Sequence, residues 1–199
     1  MFTPTKLAIV TILSLAFTPL SAQDFDKGVA AYEAGDYTTA LQEWQPLAEQ
    51  GDAVAQMILG SMYKSGEVIP QNYTEAVKWF LLAAEQGDVY GQLALGTMYS
   101  SGEGVPQNYS ESMMWNSLAA KQGNAGAQFS LGAHYGLGQG VSKDNVMAHM
   151  WFNVASANGY ALARRQRDKT AAIMTSADVF KAQAMATKCM DSDYTKCGL

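Results

Sequence analysis

Few side chains in this sequence stand at spacings that do chemistry. Ser61 precedes Lys64 by three residues, the S-x-x-K arrangement in which a serine serves as an acyl-transfer nucleophile. That chemistry also needs Ser-Asp-Asn and Lys-Thr-Gly elements, and the chain has neither. Gly136-Leu137-Gly138-Gln139-Gly140 has the glycine density of a phosphate cradle, yet no Gly-Lys-Ser/Thr completes it and a helical pattern precedes it. His134 and His149 are the only histidines. They fall on separate helices with no cysteine or carboxylate cluster around them, so zinc has no ligand set. They read as surface or groove side chains. Glu103, Glu111 and Asp144 are dispersed, which leaves glycoside hydrolysis without its carboxylate pair. Asn72-Tyr73-Thr74 and Asn108-Tyr109-Ser110 match the glycosylation sequon, and a place as helix N-caps accounts for both asparagines. No catalytic residue, metal or cofactor is expected.

Residues 1–22 stand apart from the rest. Lys6 supplies a positive start, Leu7–Phe17 an apolar core and Leu20-Ser21-Ala22 a small-residue cleavage site, the layout of a signal peptide too short to span a bilayer. The expectation is a periplasmic or secreted chain with no integral membrane segment after signal removal. Cleavage takes away Lys6 and no acid, moving the formal charge from −5 to −6. Nucleic acid and anionic lipid are poor partners for such a chain. In an exported protein Cys189 and Cys197 read as a disulfide, worth about 2–3 kcal/mol on the chain-entropy model.

The positioning elements come from a repeat. Gly60/Gly96/Gly132, Tyr63/Tyr99/Tyr135 and Trp79/Trp115/Trp151 each recur every 36 residues, a period that belongs to stacked repeat proteins. Each unit (53–88, 89–124, 125–160) reads as two helices. Helix A carries small or apolar residues at helical spacing, such as Ala55, Leu59 and Tyr63. Helix B carries a stripe of Ala76, Trp79, Phe80, Ala83 and Ala84. Asn72 and Asn108, with Glu75 and Glu111 three residues on, have capping-box spacing, and Asp144 takes the same place. Gly87, Gly123 and Gly159 stand where a helix ends in a left-handed residue. Glycines inside helix A cost about 1 kcal/mol each against alanine, so helix B is expected to pack there too closely for a Cβ. One hairpin cannot bury its own Trp and Tyr face, so the units must stack. Residues 23–52 form a shorter hairpin at the N-terminal end, and 161–199 a charged, disulfide-held helical cap.

The motifs Leu59-Gly60, Tyr63, Gly66, Ala76, Trp79, Ala83-Ala84 and Gly87, with their counterparts through Gly159, resemble the Sel1-like repeat family. Val68-Ile69 departs from its Gly-Val, so the turn of the first unit is expected to differ. The resemblance implies an all-α, right-handed superhelical solenoid of antiparallel helix pairs and a role as scaffold or adaptor for another protein or peptide of the cell envelope. A cell-wall-active or β-lactam-hydrolysing enzyme is the alternative; cysteine-rich relatives linked to that activity carry cysteine pairs within each repeat, which these repeats lack. By analogy with the related tetratricopeptide hairpin, helix A lines the inner surface. That analogy puts Val54, Met57, Ser61, Lys64, Tyr90, Leu93, Thr97, Phe129 and Ala133 in a peptide groove, with Phe25, Val29 and Tyr32 from the N-terminal hairpin. Met57, Leu93 and Phe129 share one column, which reads equally well as inter-repeat core.

Overall fold

The computed structural model describes residues 25–198; the proposed signal peptide lies outside them. Among the described residues there are ten α-helices and no strands: α1 (Phe25–Glu33), α2 (Tyr37–Glu49), α3 (Ala53–Ser65), α4 (Tyr73–Glu85), α5 (Val89–Ser101), α6 (Tyr109–Lys121), α7 (Ala125–Leu137), α8 (Asn145–Ala157), α9 (Ala163–Ala171) and α10 (Ser176–Asp191). Each helix A packs on its own helix B, and each helix B on the next helix A, which builds an all-α solenoid of stacked antiparallel helix pairs.

A two-residue device joins consecutive hairpins. Gly87, at φ 92°, donates its N–H to Ala84 O, and Asp88 N–H reaches back to Ala83 O, closing α4 in a Schellman turn. Asp88 then opens α5, its carboxylate accepting from Gly91 N–H. Gly51-Asp52 and Gly123-Asn124 repeat the arrangement. Within units, Asn72, Asn108 and Asp144 cap α4, α6 and α8 through their side chains. The N–H groups of these caps, which a full capping box would bind to the glutamate, donate instead to the carbonyls of Tyr63, Tyr99 and Tyr135 at 2.8–2.9 Å. The tyrosines thereby pin the loop between helices A and B.

The helix A glycines are contact points. A Cβ on Gly60 or Gly132 would lie 2.6 Å from the ring of Phe80 or Phe152, and one on Gly96 would lie 2.7 Å from the Asn116 amide. Gly104 and Gly140 meet the preceding helix B just as closely, at the backbone of Tyr73 and Tyr109. Val68 replaces this glycine where the preceding unit is the short hairpin. Unlike Gly104, at φ 72°, it does not take a positive φ, and it packs with Trp44 and Ile69 in the first core cluster.

Trp79 and Trp151 are buried and Trp115 half-buried against the second cluster. The C-terminal cap departs from the register. α9 occupies the next helix A place on α8, but α10 folds back onto α8 as well. It buries Met150 and Val154, whose counterparts Met114 and Leu118 are 45% and 40% exposed on the same outer row. The Cys189–Cys197 disulfide ties the chain after α10 back to that helix, both cysteines buried.

Candidate functional site

Two adjoining cavities lie along α3 and α5, with α1 at one end. Met57, Ser61 and Lys64 lie one turn apart on α3, facing Tyr90, Leu93 and Thr97 on α5, and together with Phe80 they line a cavity of about 610 Å³. Phe80 reaches this surface from α4 through the gap that Gly60 leaves. A second cavity of about 550 Å³ adjoins it, sharing Met57, Ser61 and Ser65 and adding Val29, Tyr32, Glu33, Trp44 and Val68. The two form a trough across three helices A. Its walls are Met, Leu and aromatic carbon, interrupted by hydroxyls, with Lys64 as the charge of the larger part and Glu33 and Glu67 in the smaller.

Not every expected groove residue lies there. Val54 is exposed on the first turn of α3 and lines neither cavity, as is also true of half-buried Ala133. Phe129 stacks on Tyr160, centroids 4.6 Å apart, and tilts against Phe152 at 5.3 Å, so it belongs to packing in the third unit. Leu93 does both: it lines the cavity and also packs toward α7, where a Cβ on Gly126 would meet it at 3.4 Å. Trp44, Phe80 and Val68 were missed by helix A offsets, because they enter from helix B or the loop. The Gly60–Phe80 pairing was the available signal for Phe80.

The hydroxyl chemistry is engaged elsewhere. Ser61 Oγ donates to Met57 O of its own helix at 3.0 Å, as Thr97 Oγ1 does to Leu93 O, so the S-x-x-K serine is not held by Lys64. A Ser–His pair does exist: Ser112 Oγ lies 2.9 Å from His134 Nε2, with Gly96 O at 2.6 Å and Asn116 Nδ2 at 3.2 Å. Ser112 is fully buried, and His134 Nδ1 is taken by Gln139 O at 3.1 Å, so no substrate reaches the pair.

This corrects the expectation that both histidines are surface or groove side chains. His134 takes the buried register of Met62 and Met98, while His149, in the half-buried register of Val77 and Met113, is itself buried near Arg167 and Asp168 of α9. Burial lowers the pKa of His134, with the Gln139 hydrogen bond opposing. Burial also lowers His149, helped by Arg167 and opposed by Asp168.

A polar ladder runs along the stack, and the 36-residue recurrence of its glutamines was its unread signal. Buried Gln56, Gln92 and Gln128 each donate to a carbonyl near the end of the preceding helix B (Ala48, Ala84, Ala120). Each accepts from the residue that ends its own helix B: Gln86, Gln122 and Asn158, at 2.8–2.9 Å. Tyr194 Oη closes the series on Asn158 Oδ1. These carbonyls already accept from the glycine N–H of the Schellman turn, so the glutamines give each a second donor inside the stack.

Comparison with known proteins agrees with this architecture. The Sel1 repeat family model matches residues 53–88, 89–124 and 125–160. The crystal structure of a protective antigen present in uropathogenic Escherichia coli strains, described as displaying an SLR fold, superposes with a TM-score of 0.73 at 31% identity, over 79% of this chain and 34% of that one. The chain thus spans about a third of that antigen's length. A Sel1 repeat protein from Oxalobacter formigenes superposes with a TM-score of 0.59 at 37% identity, over 65% of this chain and 98% of that one. Among curated proteins, none matches the chain. Sel1 repeats generally mediate protein–protein interaction on a typically non-catalytic scaffold. With more than half of its residues matched by the repeat model, the chain belongs to the Sel1 repeat family.

Proposed function

We propose that this protein is an exported adaptor of the cell envelope whose inner trough grips an extended or helical segment of another envelope protein. The observation that carries the proposal is the pair of adjoining cavities between α1, α3 and α5, which share Met57, Ser61 and Ser65. Adaptable Met and Leu walls with scattered hydroxyls suit side chains of a polypeptide and offer no converging acid–base pair for hydrolysis. Export is supported by the charged-then-apolar opening of the sequence, by the Cys189–Cys197 disulfide and by a structural neighbour that is a protective antigen. No helix among the described residues is long and apolar enough to cross a membrane.

Tyr90 is 61% exposed, so Tyr90→Ala should leave stability within about 0.5 kcal/mol. In an affinity pull-down from envelope extract, that variant should lose, at unchanged unfolding temperature, a partner that the unaltered chain retains. Undiminished capture by Tyr90→Ala, or turnover of a β-lactam reporter or cell-wall fragments, would count against the adaptor reading.

A further inference from the structure

The molecule is electrically lopsided along its axis. Residues 25–52 carry six carboxylates (Asp26, Glu33, Asp36, Glu43, Glu49, Asp52) against Lys27, a formal charge of −5. Residues 161–198 carry seven basic and four acidic side chains, a formal charge of +3. These segments are the two ends of the stack, α1 resting on α2 and α9 on α8.

The basic end has a specific shape. Every helix A from α3 to α7 is held between the preceding helix B and its own, but α9 has only the preceding one, because α10 turns back onto α8. In the 36-residue register, Arg167 and Asp168 of α9 replace Leu131 and Gly132 of α7, the residues that receive helix B in an internal unit. The depression there, about 570 Å³, is lined by Ala161, Arg164, Arg165, Asp168, Lys169 and Ala172. Arg167 is engaged with Asn153 and Asp168, while Arg164, Arg165 and Lys169 are exposed. Leu162 and Ile173, at the two ends of α9, are 57% and 68% exposed.

We propose that this face of α9 docks the acidic N-terminal hairpin of a second copy of the chain, so that solenoids associate head to tail. Opposite formal charges at the two ends steer that encounter and disfavour end-matched pairs. Tyr32 and Tyr37, packed edge to face on the hairpin and partly exposed beside Glu33, offer ring faces to the guanidinium groups. A contact between unlike ends is heterologous, so it propagates into chains or closes into a ring. It shares Tyr32 and Glu33 with the smaller cavity but does not require that cavity to bind a polypeptide.

Sedimentation velocity across a concentration series tests the idea. At about 0.01 M ionic strength, where the Debye length is about 30 Å, the sedimentation coefficient should climb with concentration; at about 1 M, where it is about 3 Å, a monomer should remain. The cap variant Arg164→Glu/Arg165→Glu/Lys169→Glu and the hairpin variant Glu33→Lys/Glu49→Lys should each sediment as monomers at low salt. Mixed together, they should associate again, because each supplies the end that the other has lost. If either reversal prevents folding, Arg164→Gln/Arg165→Gln should still weaken association. A monomer at every concentration in low salt, salt-insensitive association, or a mixture that stays monomeric would overturn the proposal. So would a monomeric chain whose α9 face binds anionic vesicles or nucleic acid.

Discussion

A methyl group is enough to test how tightly a helix pair closes. Helix propensity alone makes Gly60→Ala stabilising by about 1 kcal/mol. The added Cβ would instead sit 2.6 Å from the Phe80 ring, and overpacking of this kind costs about 1–3 kcal/mol. Chemical denaturation should therefore show Gly60→Ala and Gly132→Ala losing stability, with the sign deciding between the two effects. The histidines give a second residue-scale prediction. Burial holds both imidazoles below their ordinary pKa of about 6.5 in the folded chain, so the unfolded chain binds more protons once the pH falls into that range. Their contribution is fully present above the unfolded pKa and is lost as the pH drops from there toward the folded values. The urea midpoint should fall between about pH 7.5 and about pH 5, and His134→Met with His149→Met should flatten that part of the slope. The glycine contacts were legible because a recurring cost needs a recurring reason. Histidine burial was not, because each histidine replaces an apolar residue at only one of three registers.

At the scale of elements, the hairpins follow from the sequence almost directly. Gly87-Asp88 and its equivalents encode both the end of one helix and the start of the next, which is why the helix succession could be read residue by residue. The docking of α10 could not, since no period extends past Tyr160 to fix its register. Its trace in the sequence is faint: the outer row changes from Lys78 and Met114 to Met150, which is buried only because α10 lies over it. Replacing both cysteines by serine should cost about 2–3 kcal/mol by freeing the segment after α10. Hydrogen exchange should then rise first in α10 and next at Met150 and Val154 of α8, while α3–α6 keep their protection. Uniform loss of protection along the stack would show that the cap is not a separate element. The trough was partly legible for a related reason. Helix A offsets found Met57, Tyr90 and Leu93, but the analogy ran past the place where Phe129 is captured by Tyr160 and Phe152.

Over the whole molecule, the glutamine ladder and the stacked hairpins hold successive helices A side by side, and α1, α3 and α5 line one continuous trough. Burial of the polar network around Ser112 and His134 leaves no reacting group exposed at that position. The most direct test places a photo-crosslinking residue at Tyr90 in the trough and, separately, at Leu118 on the outer row, both exposed. Each variant is produced in cells that export the chain. Irradiation should yield a discrete covalent adduct with another envelope protein from the Tyr90 position and none from Leu118. Adducts from Leu118 alone, or from neither position, would contradict a function centred on the trough.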